Sequence, residues 1–328
     1  MDKVLIGPMT LAGIEGEWVR VLRAAGFELV YPPVAHQLSE DELLAHLKGI
    51  KASIAGSEPY TARVIKAHPQ LRVIARTGVG YDAVDMEAAT AAGIAVTIAP
   101  NTNQDAVAEQ TFALMLALAK DLVPQHCALK AGGWPRRTTL PLRGRILGVA
   151  GLGRIGKAVA LRGKAFGMRL LAYDPLPDNA FAQAHGVTFV PTFEQLAAES
   201  DYLSLHMPAT PQTKHLINRR TLALMKPTAF LLNLSRGSLV CEADLLEALR
   251  SKRLAGAGLD VFEEEPPGKL ALCELDNVVV TPHAAGTDLQ SRDDMALSAV
   301  QAVISLSRGE WPAEKVVNPA VRDRFRWS

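Results

Sequence analysis

A glycine-rich turn joins a strand to a helix near the middle of the chain. The segment from Arg145 to Asp174 reads as an apolar strand, a Gly-x-Gly-x-x-Gly turn, a helix and a second strand that ends in a carboxylate. Gly151 permits the tight turn, Gly153 lets the backbone approach a pyrophosphate, and Gly156 lets the helix pack close to the sheet. The helix N-terminal amides then point at the phosphates. Because all these parts occur in order, the pattern predicts a dinucleotide site rather than a plain glycine-rich turn.

The carboxylate at the end of the second strand indicates which dinucleotide binds. Asp174 could accept hydrogen bonds from both ribose hydroxyls of an adenosine, and its charge would repel a 2′-phosphate, so the sequence favours NAD over NADP. The alternative is that Asp174 only forms a turn before Pro175, which is common chemistry for aspartate. Arg169 precedes the second strand and is not counted as a phosphate partner.

Other strands in the same half of the chain end in unusual polar residues. These are Ser235, Arg236 and Gly237 after the strand at 229–234, Asp260 in the strand at 258–262 with Glu263, Glu264 and Glu265 behind it, and His283 after the strand at 278–281. Ligands of doubly wound sheets bind beyond the carboxyl ends of the strands. We therefore expect these groups to meet at one edge of a sheet.

Each of these residue types has a chemical and a plain interpretation. Arg236 could clamp a carboxylate with its planar guanidinium, or be a solvated surface charge. His283 could act as an acid and base near neutral pH, or be an ordinary loop histidine. One of the three glutamates could face His283 and fix its tautomer, or all three could form a solvated acidic turn. The position behind buried strands favours the chemical interpretation for each.

The elements that must position these groups follow from the alternation of strands and helices. At 328 residues the chain is long enough for two domains. In the first hundred residues we expect strands at 4–6, 28–31, 52–55, 72–75 and 95–98 and helices at 17–25, 40–48 and 61–68. A long helix at 104–120, which continues in a second helix to residue 130, precedes a break at 132–135.

The second half predicts its own parallel sheet. Its expected strands are 146–150, 169–173, 188–190, 202–206, 229–234, 258–262 and 278–281. A helix at 288–307 is expected to return to the first domain, with hinges near 98–102 and 284–287. The fold class is α/β, with two doubly wound parallel-sheet domains. The domains are residues 1–100 plus 287–328 and residues 101–286.

Composition excludes several classes of protein. The net charge of +1 gives no indication of a nucleic-acid or anionic-membrane surface. The three cysteines, Cys127, Cys241 and Cys273, lack paired spacing, which favours a reducing compartment over a disulfide framework and predicts no metal site. The N-terminus lacks the features of a signal peptide, and the most apolar helical run, 112–119, is too short to span a bilayer. These features predict a cytoplasmic protein.

Six motifs spread over nearly the whole chain resemble those of the D-isomer-specific 2-hydroxyacid dehydrogenases. Their order and spacing are more specific than the glycine-rich turn alone. The motifs are Arg-Thr-Gly-Val-Gly-Tyr-Asp at 76–82, Val-Ala-Glu at 107–109, Leu-Gly-Val-Ala-Gly-Leu-Gly-Arg-Ile-Gly at 147–156, Asn-Leu-Ser-Arg-Gly at 233–237, Leu-Asp-Val-Phe-Glu-Glu-Glu-Pro at 259–266 and Thr-Pro-His-Ala-Ala-Gly at 281–286.

The resemblance implies residue roles, a domain arrangement and an assembly. It assigns catalysis to Arg236, Glu265 and His283, with Arg236 also binding substrate, and it assigns the substrate carboxylate to the backbone of Val79 and Gly80. It also implies a Rossmann cofactor domain inserted in a discontinuous, flavodoxin-like substrate domain, and a homodimer. The residues expected around the NAD cofactor are Gly151, Gly153, Arg154, Ile155, Gly156, Asp174, His206, Met207, Pro208, Leu234, Ser235, Arg236, Asp260, His283 and Gly286.

The resemblance leaves the 2-hydroxy or 2-oxo acid substrate open. Arg76 and the pair Arg136-Arg137 lie where similar phosphoglycerate dehydrogenases use arginines; they favour 3-phosphoglycerate, and surface solvation is the alternative. Reduction of hydroxypyruvate or glyoxylate follows closely. An NAD(H)-sensing, corepressor-like binding protein is the alternative from another class, and the complete set of expected catalytic residues argues against it. No C-terminal extension for a serine-binding module is present, so serine feedback is not expected.

Overall fold

A computed structural model describes residues 1–34 and 36–328 and builds them from alternating strands and helices. The strands in this part of the chain are β1 Lys3–Ile6, β2 Glu28–Val30, β3 Ile50–Ala55, β4 Val73–Arg76, β5 Ala95–Thr97, β6 Ile146–Ala150, β7 Arg169–Tyr173, β8 Val187–Phe189, β9 Tyr202–Leu205, β10 Phe230–Asn233, β11 Gly256–Leu259 and β12 Val278–Val280. All of them pair in parallel with their neighbours.

The helices connect successive strands, except for the last helix, which follows β12. They are α1 Glu17–Ala24, α2 Glu40–His46, α3 Ala62–Ala67, α4 Met86–Ala91, α5 Gln104–Ala119, α6 Leu122–Lys130, α7 Arg154–Ala165, α8 Asn179–His185, α9 Phe193–Glu199, α10 Arg219–Leu222, α11 Glu242–Arg250 and α12 Leu289–Ser307. Several begin after a residue whose side chain accepts a hydrogen bond from the first turn, such as Ser39, Asp85 and Asp288. Across the described residues no helix is both long and apolar enough to cross a bilayer.

The chain divides into two compact units, residues 1–103 with 287–328 and residues 104–286. The sheet of the first unit has the strand order β2-β1-β3-β4-β5, which is the flavodoxin-like order. Helix α12 belongs to this unit because Ala296, Val300 and Val303 are buried in one core with Val4 and Trp18. The tail of the chain therefore completes the unit that its beginning starts.

The second unit contains a seven-stranded sheet in the order β12-β11-β10-β9-β6-β7-β8. The order reverses between β6 and β9, and ligands bind at such a switch point in open α/β sheets. Leu203 and Leu205 of β9 lie in one core and Tyr202 lies in the other, so helices cover both faces of the sheet. The predicted fold class, two doubly wound parallel sheets with a Rossmann unit inserted in the chain of the other, is confirmed.

One predicted strand was displaced along the sequence. We expected a strand at 258–262, whereas β11 spans Gly256–Leu259, so Asp260 follows the strand instead of lying in it. Glycines in a strand mark close backbone approach. A Cβ on Gly256 would lie 2.6 Å from the Asn277 carbonyl oxygen, and one on Gly258 would lie 2.8 Å from Leu232 Cδ2. Tertiary packing therefore requires glycine at both positions of this strand, and the strand begins two residues earlier than the sequence pattern predicts. Smaller shifts of one or two residues affect other predicted ends, such as β4 at 73–76 instead of 72–75.

Candidate active site

The glycine-rich turn is built so that two of its glycines cannot be replaced without a clash. Gly151 has a φ of +91°, and a Cβ there would lie 2.8 Å from the His206 carbonyl oxygen. A Cβ on Gly156 would lie 2.0 Å from the Gly151 carbonyl oxygen. Gly153 differs from both, because no heavy atom lies within 4 Å of the position its Cβ would take. The N-terminus of the twelve-residue helix α7 therefore opens onto unfilled space at Gly153.

Asp174 is bonded to the glycine-rich turn through its side chain. Its Oδ2 accepts a hydrogen bond from the Leu152 amide at 2.7 Å, and its Oδ1 accepts one from the Leu176 amide at 2.9 Å. The second bond is the turn that an aspartate before a proline was expected to form. The first bond fixes the carboxylate beside the turn that would receive a pyrophosphate. Both interpretations of this residue are therefore compatible with its geometry.

Arg236 lies in a turn that a buried asparagine holds. Asn233, 1% exposed at the end of β10, donates from Nδ2 to the Arg236 carbonyl oxygen at 2.8 Å and accepts from the Ser235 amide at 3.2 Å. The Ser235 hydroxyl donates to the Met207 carbonyl oxygen. A Cβ on Gly237 would lie 1.8 Å from the Phe262 carbonyl oxygen, so this turn sits directly against the segment after β11.

His283 and Glu265 form a hydrogen-bonded pair. His283 Nδ1 lies 2.6 Å from Glu265 Oε2, and Glu265 Oε1 accepts from the Phe262 amide at 3.0 Å. Burial acts to raise the pKa of Glu265, but the His283 hydrogen bond and charge, the Phe262 amide and the Arg236 charge outweigh it, so the pKa is lowered. Because an ionised carboxylate only accepts, Nδ1 carries a proton and Nε2 is left for chemistry.

Asp260 organises the loop that carries His283. Asp260 is 1% exposed, and its Oδ1 accepts from the Thr281 hydroxyl at 2.5 Å and from the Ala284 amide at 3.0 Å. Its Oδ2 accepts from the Ala285 amide at 2.9 Å. His283 itself has a φ of +49° and donates its amide to the Asp260 carbonyl oxygen at 2.7 Å. A non-glycine residue in this left-handed conformation is strained, and these bonds hold it there.

His206 ends β9 beside the glycine-rich turn. Its Nε2 lies 2.7 Å from the Ser204 hydroxyl, and its Nδ1 is buried with no hydrogen-bond partner among the described residues. Burial lowers the pKa of His206 to about 3, so the ring is neutral. Met207 beside it is buried and Pro208 is exposed. A neutral ring at this edge suits the cofactor-lining role that we predicted for His206 better than it suits acid–base chemistry.

In the first unit, the loop after β4 presents three consecutive amides. Within residues 1–34 and 36–328, the amides of Gly78, Val79 and Gly80 donate no hydrogen bond. Arg76 is only 8% exposed, and its Nε donates to the Gly80 carbonyl oxygen at 2.9 Å. Its charge also acts on Glu58, which is 2% exposed. Surface solvation, one of the two roles considered for Arg76, is therefore wrong.

The second unit thus brings together Arg236, Glu265 and His283, which the sequence placed on three different strand ends. Glu265 bonds His283 and its carboxyl responds to the charge of Arg236. Sequence reasoning missed Asn233, although a buried polar residue at the end of an apolar strand is a detectable signal. Among the described residues there is no group of three or more side chains suited to hold a metal ion.

Comparisons with known proteins agree with this geometry. Residues 112–285 match the model of the D-isomer specific 2-hydroxyacid dehydrogenase, NAD binding domain. The chain is 42% identical over 275 residues to a glyoxylate reductase of Korarchaeum cryptofilum, which covers 82% of each protein. It is 41% identical over 288 residues to a D-3-phosphoglycerate dehydrogenase of Methanocaldococcus jannaschii, covering 87% of this chain and 55% of that protein. The chain thus spans about half the length of that second relative.

A solved structure shares the fold over almost the whole chain. It is a D-lactate dehydrogenase from Aquifex aeolicus in complex with NAD and lactic acid, with a TM-score of 0.85, 28% identity and coverage of 97% of this chain and 99% of that one. These findings define an NAD-binding oxidoreductase fold. The chain belongs to the D-isomer specific 2-hydroxyacid dehydrogenases. The family and the cofactor expected from the motifs are therefore confirmed.

Proposed function

We propose that this protein reduces a small, unphosphorylated 2-oxo acid of the glyoxylate or hydroxypyruvate type to the D-2-hydroxy acid. The observation that carries the proposal is the 2.6 Å pair of His283 and Glu265 with Arg236 beside it, beyond the carboxyl ends of β10, β11 and β12. An imidazole held by a carboxylate is suited to move one proton, and a guanidinium is suited to bind a carboxylate and polarise a carbonyl.

The residues of the glycine-rich turn fit the cofactor. The open space at Gly153, the free amides at the start of α7 and the carboxylate of Asp174 match a pyrophosphate and a ribose. Arg154 and Ile155 occupy the first turn of the same helix, Ser235 and Leu234 follow from β10, and Gly286 ends the His283 loop. When bound, NADH supplies the hydride that is transferred to C2 of the oxo acid.

The chain's own side chains would handle the proton and the charge. His283 Nε2 donates a proton to the oxygen that develops negative charge, while Nδ1 stays bonded to Glu265. Such positioned acid–base catalysis contributes about 10²–10⁴-fold. Arg236 stabilises the same oxygen and the neighbouring carboxylate. The unbonded amides of Val79 and Gly80 are donors suited to the substrate carboxylate, which supports a substrate-binding role for the first unit.

The proposed substrate class is supported by the contacts that the candidate phosphate-binding arginines already make. The Nε of Arg76 donates to the Gly80 carbonyl oxygen, and the Arg76 charge also acts on the carboxyl group of buried Glu58, whose pKa burial raises. Arg137 Nη1 pairs with Asp121 Oδ2 at 2.6 Å, and it lines a cavity of about 360 Å³ with residues at the amino ends of β10 to β12. Our expectation of 3-phosphoglycerate rested on these arginines, so an unphosphorylated substrate is now favoured.

Phosphohydroxypyruvate remains the second candidate. The similarity to the Methanocaldococcus jannaschii phosphoglycerate dehydrogenase favours it, and exposed Arg136 has no such engagement within the described residues. The deciding experiment follows NADH oxidation at 340 nm with glyoxylate, hydroxypyruvate, phosphohydroxypyruvate and pyruvate. We expect the highest kcat/KM for glyoxylate or hydroxypyruvate, and a preference for phosphohydroxypyruvate would refute the substrate proposal.

The same assay tests the catalytic residues. His283→Ala should lower kcat by about 10²–10⁴-fold because the proton donor is lost, while calorimetry should show that the variant still binds NADH. Near-native turnover of that variant would show that His283 is not the proton donor. Tight NADH binding without turnover of any 2-oxo acid by the wild type would favour a cofactor-sensing binding protein instead.

We also propose a homodimer. Helix α6 has no buried residue, although it carries Leu122, Val123 and Leu129, which are 58%, 45% and 54% exposed. Trp134 in the following loop is 78% exposed. An exposed apolar surface of this kind is typical of a protein–protein interface. Sedimentation velocity is the measurement, and a monomer at micromolar concentration would refute the assembly.

A further inference from the structure

A second histidine–carboxylate pair joins His215 to the turn that carries Glu265. His215 Nε2 is 2.5 Å from Glu263 Oε1, and Glu263 is also bonded to Glu242. We propose that His215, Glu263 and Glu242 form a buttress that holds Glu265 against His283, so that all three are positioning residues for the reaction. The inference rests on the proposed function for its catalytic consequence, but the positioning itself can be measured without turnover.

Glu263 is attached to the start of helix α11 by two reciprocal hydrogen bonds. Its Oε2 accepts from the Glu242 amide at 3.2 Å, and its own amide donates to Glu242 Oε1 at 2.7 Å. Cys241, the N-cap residue of α11, makes no side-chain hydrogen bond to the first turn. Glu263 therefore supplies, from a distant segment, the acceptor and the negative charge that a helix N-terminus favours.

His215 is fixed from the other side. Its φ is +50°, its amide donates to the Ser238 carbonyl oxygen at 2.8 Å, and its carbonyl oxygen accepts from Asn218 Nδ2 at 2.8 Å. Ser238 lies two residues after Arg236, in the turn that follows β10. The buttress therefore connects the turn that carries Arg236 to the turn that carries Glu265.

The connection from Glu263 to Glu265 is short and closely packed. The Phe262 amide, one residue before Glu263, donates to Glu265 Oε1 at 3.0 Å. The Phe262 carbonyl oxygen lies against Gly237 with no room for a Cβ. A movement of Glu263 therefore also moves the Phe262 amide, which orients the Glu265 carboxylate. The position of Glu265 Oε2, which bonds His283, changes as a result.

Repulsion makes the attachment necessary. Burial raises the pKa of Glu242; the Glu263 amide opposes this, and the charges of Glu263 and Glu265 add to the rise. The like charges of Glu242, Glu263 and Glu265 would push these side chains apart unless donors held them. His215 and the amides of Glu242 and Glu263 are donors that hold Glu263 and Glu242. Glu264, between the two paired glutamates, is exposed and makes no hydrogen bond or ion pair within the described chain, so it is a matched control.

The experiment compares His215→Ala, His215→Gln and Glu263→Ala with Glu264→Ala in the full-length chain. We expect kcat to fall roughly tenfold in His215→Ala and Glu263→Ala with the KM for NADH unchanged, because small displacements of a catalytic group cost rate. His215→Gln keeps an N–H donor and should recover most of the loss. If both alanine variants stay within about twofold of Glu264→Ala in kcat, the proposal is overturned.

A second test of the buttress does not depend on turnover. Carbon-13 NMR titration follows the Glu265 carboxyl signal, which is assigned by its loss in Glu265→Gln. Removing the charge of Glu263 would by itself lower the pKa of Glu265, whereas loss of the His283 contact would raise it. We expect the pKa to rise in Glu263→Ala and not in Glu264→Ala. A fall in both variants would overturn the buttress. If the wild type turns over none of the 2-oxo acids, the proposed function fails while this titration still decides the positioning.

Discussion

Replacement of Gly156 by alanine tests the close approach of helix α7 to the glycine-rich turn. The new Cβ would lie 2.0 Å from the Gly151 carbonyl oxygen, about 1.4 Å short of the 3.4 Å at which ordinary contact begins. The opposing atom is backbone, so the helix itself must move. Alanine within a helix gains about 1 kcal/mol over glycine, but overpacking costs about 1–3 kcal/mol. Because the overlap is severe, we expect a net loss of about 2 kcal/mol.

The expected outcome of Gly156→Ala is a lower melting temperature and weaker NADH binding. A loss of about 2 kcal/mol corresponds to about 4–8 °C for a unit of this size. Displacement of the α7 amides should also raise the Kd for NADH, because these amides are the expected pyrophosphate donors. Calorimetry and thermal unfolding of the same preparation measure both quantities.

Gly153→Ala is the matched control. Gly153 has a φ of −72° and no heavy atom within 4 Å of its Cβ position, so alanine should lose only the N-cap preference for glycine, about 0.5–1 kcal/mol. NADH binding should still weaken, because the methyl group would occupy the approach of the pyrophosphate. A Gly156→Ala variant that melts at or above the wild-type temperature would refute the packing argument. If Gly153→Ala binds NADH with wild-type affinity, the pyrophosphate does not bind at Gly153.

Two further predictions concern charge. Asp174→Ser should reduce the preference for NADH over NADPH, measured as a ratio of kcat/KM values, because the repulsion of a 2′-phosphate is lost; an unchanged ratio would place the determinant elsewhere. The pKa of His206 is about 3 in the folded chain, against an ordinary value of 6.5. Below pH 6.5 the imidazole is therefore protonated in the unfolded chain but stays neutral in the folded chain. Its contribution to stability is complete above pH 6.5 and is lost toward pH 3, at up to about 1.4 kcal/mol per pH unit. Urea unfolding at pH 7.0 and 5.5 should show a smaller decline for His206→Gln, and equal declines would contradict the assigned burial.

Local patterns carried the prediction of the fold and of the reacting groups. Apolar runs that alternate with amphipathic segments define strands and helices through neighbours a few residues apart, so both sheets could be foreseen. The glycine-rich turn, Arg236 and His283 were predictable for the same reason, since each follows directly from a strand in sequence. Without the resemblance to the family, the sequence did not indicate which of the three consecutive glutamates faces His283.

Only the tertiary structure decided the partners that hold these groups. Asp260 bonds residues more than twenty positions away, and Glu263 bonds His215 forty-eight positions away. Arg76 is buried and bonded to Gly80 instead of being exposed. Such contacts depend on strand order and on exact distances between segments remote in sequence, and no periodicity within a short window encodes them. The sequence therefore specified the chemical groups and their strand ends, while folding determined how their charges are shared and how firmly each is held.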